Sequence, residues 1–173
     1  MDILTVTPRL LRFGDDGVFP NSVLPVLFYP AALQVDASEG VSSTASAIEA
    51  IFAAHQWLPD WRDGIYDYHH YHSTAHEALG VAAGDAQIML GGPNGEVLPV
   101  GRGDVLILPA GTSHCAVTQS HDFLVVGAYP LGQKWDVMKG LDGERPASLQ
   151  RIAQVPIPKD DPIGGALLTA WRV

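Results

Sequence analysis

The stretch that decides the fold spans residues 69–81 and reads HHYHSTAHEALGV. It contains four of the seven histidines of the chain, and Glu77 follows directly behind the last of them. The apolar residues after Glu77 predict a strand that begins at this cluster. Other strands are therefore expected to bring further polar groups back to it.

Short apolar runs separated by glycine-rich turns extend from Gly64 through the cluster and beyond it. The predicted strands cover residues 65–72, 77–83, 86–90, 96–100, 105–108, 114–119 and 122–129. The run 105–108 is apolar throughout, which predicts a strand buried on both faces. Short strands with Gly-rich turns at this spacing indicate an antiparallel β-sandwich or β-barrel. We therefore predict an all-β fold.

The segment before the cluster predicts one helix, at residues 42–57. Ile48, Ile51 and Phe52 fall on one stripe at helical spacing, serine and threonine residues can cap the start, and Pro59 is a stop signal. We expect the apolar stripe to cover an open face or end of the sheet.

The flanking segments predict a strand and a tail. Residues 23–29 are apolar and predict a strand, which we also expect to contribute to a dimer interface. Residues 130–173 contain Trp135, Met138, Leu141 and Trp171, which predicts a packed tail rather than a free one.

Length and composition indicate one domain, residues 1–173, with a core of about residues 64–130. Hydrophobic residues make up 47% of the chain and charged residues 17%, with a net charge of −9. This negative charge argues against nucleic-acid and membrane partners, since both carry anionic phosphates. The single cysteine, Cys115, excludes an intrachain disulfide framework. No signal peptide or membrane span is indicated, so the expected location is cytoplasmic.

Alternation along a strand places His70 and His72 on the same face, with Tyr66 and Tyr68 continuing that face. Two buried imidazoles side by side each need a polar partner, and a shared divalent cation would satisfy both. Glu77 can direct its carboxylate to the same point from the start of the next strand.

A fourth ligand should come from a distant strand, and His114 is the candidate because a tight turn, residues 109–113, precedes it. Three imidazoles and one carboxylate suit one divalent transition metal, namely Fe, Mn, Ni, Zn, Co or Cu, rather than Ca or Mg. We therefore predict a metal site at His70, His72, Glu77 and His114, with one or two positions open to water or substrate. A polar pocket without metal is the plainer alternative.

The neighbouring residues are assigned by the same alternation. His69 and His76 should face away from the site; His76 is expected in solvent or in contact with a ligand residue, and a bulge that makes it a ligand stays possible. A helical interpretation, with His72 and His76 as a zincin-like pair, is disfavoured by the surrounding tyrosines and glycines. Cys115 should be a buried, inert thiol. The predicted lining of a substrate pocket is Tyr66, Tyr68, Gln87, Met89 and Thr118.

These residues resemble the first motif of the cupin superfamily. His70-x-His72 is followed after four residues by Glu77 and after six more by Gly84, and Gly64 stands six positions before His70.

The second cupin motif is similar to the segment that begins at Gly103. After five residues come Pro109-x-Gly111, two residues and His114. Thr118 stands where the motif often has asparagine. The runs His-Ser-x-x-His-Glu and Val-Gly-Ala-Tyr-Pro further resemble the uncharacterised bacterial YjlB-like cupins, to which no activity is assigned.

The resemblance implies a single-domain, RmlC-like jelly-roll barrel of two antiparallel sheets, usually a homodimer. In this chain we expect an N-terminal helix and a packed C-terminal tail in addition to the barrel. It places the metal ligands on His70, His72, Glu77 and His114. Known activities include dioxygenases, isomerases and decarboxylases, and some members only bind ligands. The fold does not choose among them.

Two functional hypotheses follow. The first is an enzyme with metal-centred chemistry on a small molecule, with a dioxygenase-like oxidoreductase favoured and an isomerase or lyase possible. The second is a non-catalytic module that binds or senses a small ligand.

Overall fold

A six-stranded antiparallel sheet lies at the centre of the chain, which we describe from a computed structural model covering residues 1–36 and 38–172. Of the predicted domain 1–173, Ala37 and Val173 lie outside the described residues. The strands are β1 (Asp2–Ile3), β2 (Arg9–Leu11), β3 (Val26–Tyr29), β4 (Leu33–Gln34), β5 (Trp57–Asp63), β6 (Glu77–Ala83), β7 (Asp85–Leu90), β8 (Glu96–Gly101), β9 (Val105–Leu108), β10 (His114–Gln119) and β11 (Leu124–Pro130). The helices are α1 (Val41–Ala54), α2 (Ala147–Gln154) and α3 (Leu167–Ala170).

The strands form two main sheets, and every pairing in them is antiparallel. The large sheet has the order β2-β3-β9-β6-β11-β5, and the small sheet has the order β10-β7-β8. Strands β1 and β4 form a separate pair. The antiparallel β-protein that the sequence predicts is confirmed, but over the described residues the strands do not close into a barrel.

The two main sheets share one apolar core. Leu79 and Val81 of β6, together with Leu106 and Leu108 of β9, belong to a buried cluster that also contains Ile88 of the small sheet. Since alternate residues of a strand face opposite sides, Glu77 lies on this inner face as well.

The outer face of the large sheet is covered by α1 and the C-terminal tail. Ile48 and Phe52 of α1 pack with Ala78, Ala82 and residues of the tail in a second buried cluster. Both faces of β6 and β9 are therefore buried, as the apolar run 105–108 predicts.

The predicted end of the helix is wrong, and the strand that follows it was not predicted. The helix ends at Ala54, and β5 follows as an edge strand of the large sheet. Pro59, interpreted as a stop signal, lies inside β5 at a register shift against β11. An edge strand tolerates proline because one side of its backbone has no partner strand.

The predicted strand 65–72 is also wrong. This segment contributes only isolated bridges, from His70 to His114 and from Tyr71 to Met138. The strands 77–83, 105–108 and 114–119 are confirmed with the predicted ends.

The C-terminal tail is packed at Trp171, as predicted, whereas Trp135 and Leu141 are exposed. Trp171 is buried and its indole N–H donates to the carbonyl oxygen of Pro25 at 2.8 Å. The buried Asp161 accepts a hydrogen bond from the Tyr29 hydroxyl at 2.6 Å. β3 is buried on both faces and paired on both edges, so residues 26–29 of the expected interface segment 23–29 are covered within the chain, whereas Val23 is exposed.

Across residues 1–36 and 38–172, no helix combines the length and the apolar character needed to cross a membrane.

Replacing Gly80 with alanine tests the packing of α1 on β6. An added Cβ would lie 2.6 Å from Cγ2 of Ile48 and 3.0 Å from Cζ of Phe52. Because the core is close-packed, we expect Gly80→Ala to lower the free energy of unfolding by about 1–3 kcal/mol in urea titrations. Gly101→Ala is the control, since its nearest neighbour would be 4.0 Å away. Equal stability of the two variants would contradict the packing described here.

Candidate metal centre

Three buried histidines converge at one end of the shared core. The ligand nitrogens of His70, His72 and His114 all lie within 4.8 Å of one another. His70 and His114 are fixed to each other by two backbone hydrogen bonds, of 3.1 and 2.9 Å. The start of β10 thereby holds His70 in place although its own segment is not a strand.

Glu77 joins the histidines from the first position of β6. Its Oε2 lies 3.3 Å from Nε2 of His72 and 3.3 Å from Nε2 of His114. Among the described residues, neither Oε2 of Glu77 nor Nε2 of His72 has a hydrogen-bond partner, although both atoms are buried. A cation between them would satisfy both atoms, so the residues fit a metal ion.

The tautomers of the three histidines suit metal binding. Nδ1 of His70 donates to the carbonyl of Tyr68 at 3.1 Å, and Nδ1 of His114 donates to the carbonyl of Thr112 at 3.1 Å. Nδ1 of His72 donates to the carbonyl of Asp136. Since a carbonyl oxygen only accepts, Nδ1 carries a proton in each ring, and in the neutral ring Nε2 keeps its lone pair for an ion.

Electrostatics also favour a cation at this point. Burial would raise the pKa of Glu77, but His72 and His114 outweigh it and hold the pKa well below its usual range. Burial and then His114 lower the pKa of His70 to about 3. Burial opposes protonation of His72, and Glu77 outweighs it and raises that pKa. The site therefore holds an ionised carboxylate beside at least one neutral imidazole.

A hydrogen-bond chain that sequence reasoning missed positions Glu77. The Tyr129 hydroxyl donates to Oε1 of Glu77 at 2.5 Å, and Nε1 of Trp61 donates to the Tyr129 oxygen at 2.9 Å. Gly127 makes room for the indole, because a Cβ there would lie 2.0 Å from a Trp61 ring atom. Alternation along β11 from the inward-facing Val125 would have placed Tyr129 on the same face.

The tail segment 133–136 was also missed, and it holds the turn between His72 and Glu77. The Asp136 carboxylate accepts hydrogen bonds from the backbone N–H and the hydroxyl of Ser73. The Thr74 hydroxyl donates to the carbonyl of Lys134 at 2.7 Å. More than fifty residues separate the partners, and local sequence patterns carry no signal for such pairings.

His76 faces away from the triad, as alternation predicts, but it does not lie in solvent. Its ring is buried against Trp171, with 4.7 Å between ring centroids. Its Nδ1 accepts a hydrogen bond from the backbone N–H of Ala110 at 2.9 Å. Burial lowers its pKa to about 4, against a smaller opposite effect of the Pro156 carbonyl. His76 is thus a core residue on the outer face of the large sheet.

His69 also faces away, as expected. Its Nε2 lies 3.7 Å from Sγ of Cys115. The thiol is buried, and burial raises its pKa, which agrees with an inert cysteine.

A cavity of about 170 Å³ opens beside the triad and Glu77. Its wall includes Trp61, Tyr66, Tyr129 and Trp135. Of the predicted lining, only Tyr66 is part of this wall among the described residues.

The other four predicted lining residues lie elsewhere. Gln87 and Met89 are on the outer side of β7, whose even-numbered residues face the core. Thr118 is exposed and follows a register shift after Ala116. Tyr68 is outside the cavity wall: it stacks on the Tyr66 ring, its ring centroid lies 5.7 Å from that of His70, and the ammonium of Lys139 lies over its ring.

Comparison with known proteins gives one informative match, and no protein-family model matches the chain. The chain is 36% identical over 163 residues to the uncharacterised protein YjlB of Bacillus subtilis (strain 168). The match covers 92% of this chain and 93% of YjlB. The chain belongs to the YjlB family. YjlB itself carries no assigned activity, so membership of this family adds no chemistry to the geometry of the site.

Replacing Tyr129 with phenylalanine tests its role in positioning Glu77. Loss of the hydroxyl frees Oε1 and the carboxylate can rotate, so we expect metal affinity to fall about 10- to 100-fold in competition with a chromophoric chelator. Tyr29→Phe is the matched control, because Tyr29 donates to a carboxylate in the other buried cluster, outside the cavity wall. If both variants kept the affinity of the unmodified protein, the hydrogen-bond chain would have no role in metal binding.

Proposed function

We propose that the chain is a cupin-type metalloprotein that binds one divalent transition metal through His70, His72, Glu77 and His114. The observation that carries the proposal is the set of three buried imidazoles with Nδ1 bound to backbone carbonyls and Nε2 left available. The unpartnered Oε2 of Glu77 supports it, because a buried carboxylate oxygen without a partner is costly.

The cupin assignment within this proposal has structural support. Two antiparallel sheets share a core, and the residues of both motifs meet at one end of it. Gly84 and Gly103 adopt φ angles of +66° and +93°, a region that disfavours any side chain. This explains why the two motifs need glycine at these turns, and it supports a jelly-roll with a helix and a tail added outside.

We further propose that the protein acts on a small molecule in the adjacent cavity. A bound divalent ion supplies Lewis-acid chemistry, or dioxygen chemistry if it is redox-active. In the described wall, the Tyr129 hydroxyl and the Trp61 indole N–H are already committed to each other and to Glu77. Asp63 and Tyr66 also line the cavity, and both are exposed to solvent. Apart from the proposed ligands, the described wall therefore holds no buried acid–base pair, which favours metal-centred chemistry and a dioxygenase-like oxidoreductase over an isomerase or lyase.

A non-catalytic binding module is the second candidate, and the same observation favours it. A wall with few free polar groups can hold a ligand without transforming it. Oxygen consumption by the iron-loaded protein, supplied with a ligand that binds, separates the two functions. Turnover that stops without dioxygen supports the oxidoreductase; a bound ligand recovered unchanged supports the binding module.

Metal analysis of His114→Ala tests the ligand set. We expect about one equivalent of a transition metal in the unmodified protein purified without chelators, and less than about a tenth of that in the variant, since a ligand is lost. His121→Ala is the control, because it removes an exposed imidazole from the turn between β10 and β11.

A second variant keeps this test valid if His114→Ala does not fold. Glu77→Gln preserves the shape of the side chain but removes its charge, and should lower metal content too. Full metal content in correctly folded His114→Ala would refute the four-ligand site.

A further inference from the structure

We propose that the cavity beside Glu77 takes a small, flat phenol or enol, about one ring in size, whose single ionisable hydroxyl is its polar anchor. This proposal rests on the proposed function, because the metal ion is what the hydroxyl would bind.

The size of the cavity limits the ligand to about one ring. Its volume is about 170 Å³. A protein cavity of about 150 Å³ accommodates benzene, whereas pockets for drug-sized ligands measure about 300–1,000 Å³. Nucleotides, sugar phosphates and molecules with several fused rings are therefore too large to be enclosed by it.

The walls of the cavity favour a flat, apolar body. The rings of Trp135 and Tyr129 stack with 5.6 Å between centroids and an interplanar angle of 17°. Both rings also meet the His72 imidazole edge-on. Tyr66 is half-exposed and presents its ring edge-on to His70, at 5.0 Å. Aromatic faces of this kind pack well against another ring.

Three of the four polar groups of the aromatic wall are already paired within the protein, and the fourth, the Tyr66 hydroxyl, belongs to a half-exposed side chain. The Trp61 indole donates to Tyr129, and Tyr129 donates to Glu77. The indole N–H of Trp135 donates to Asp60 at 2.9 Å. A ligand with several hydroxyls, such as a polyol, would leave them without partners, which costs free energy for each buried group.

The cation of the wall is also committed. The guanidinium of Arg62 binds the two carboxylate oxygens of Glu49 at 2.5 and 2.7 Å and the hydroxyl of Ser46 at 2.9 Å. It points towards α1, and it is the one Arg or Lys among the described lining residues. A carboxylate on the ligand would therefore find no ion-pair partner in the described wall.

The charge of the site sets the last limit. Three neutral imidazoles, one carboxylate and a divalent ion leave one net positive charge. One phenolate or enolate oxygen neutralises it, and a second negative charge on the ligand would remain buried without compensation. The site therefore favours a monohydric phenol over dianions such as oxalate.

Ligand binding to the cobalt-loaded protein tests this class. Cobalt content is measured first, and visible absorption of the ion then reports binding of 4-methylphenol and of 4-hydroxybenzoate, which has a carboxylate in place of the methyl group. We expect 4-methylphenol to shift the cobalt bands and to bind at least about tenfold more tightly than 4-hydroxybenzoate or oxalate, since these bring an extra buried charge.

Two variants locate the binding. Trp135→Leu removes part of the aromatic wall and should weaken 4-methylphenol binding about tenfold while cobalt content stays the same. Phe13→Leu is the matched control, because the Phe13 ring packs against the shared core outside the cavity wall, and this variant should bind 4-methylphenol normally.

The outcomes separate this proposal from the metal site. Cobalt bound stoichiometrically with no effect of 4-methylphenol, or with tighter binding of oxalate, would overturn the ligand class and leave the metal site standing. An unmodified protein that takes up no cobalt would overturn both. Equal binding by Trp135→Leu and Phe13→Leu would show that the ligand does not occupy this cavity.

Discussion

The buried carboxylate of Glu77 is the constraint on which the rest of the site depends. An ionised carboxylate that is 2% exposed needs positive charge or hydrogen-bond donors around it. Oε1 accepts a hydrogen bond from the Tyr129 hydroxyl, and Oε2 faces His72 and His114 without a hydrogen bond. Because each Nδ1–H donates a hydrogen bond to a backbone carbonyl, the neutral imidazoles direct the lone pairs of their Nε2 atoms towards this oxygen. A cation between them would bind both.

The fold supplies this arrangement by burying both faces of the central strands. Strand β6 can place Glu77 in the shared core because α1 and the tail cover its other face, where His76 packs on Trp171. The tail then returns to the ligand turn, where the Asp136 carbonyl fixes the tautomer of His72. The packing of the outer face and the geometry of the site are therefore coupled through two adjacent residues, His76 and Glu77, at the start of β6.

The residues proposed as metal ligands could be predicted from strand alternation and motif spacing. His70, His72, Glu77 and His114 come together although the segment around His70 is not a strand, because its bridge to His114 keeps it extended. The prediction failed in β7. The strand itself was predicted correctly, but no residue of known orientation in it showed which face is inner, so Gln87 and Met89 were assigned to the wrong face. The roles of Tyr129 and the tail depend on contacts across more than fifty residues, which a local pattern does not encode.

Anomalous diffraction at a metal absorption edge tests the central claim most directly. Crystals of protein loaded with manganese or cobalt should show one strong peak at about 2.0–2.3 Å from Nε2 of His70, His72 and His114 and from Oε2 of Glu77, the usual range for such bonds. A peak elsewhere, for example at His76 or His69, would contradict the account. So would a loaded protein in which no peak lies among these four side chains.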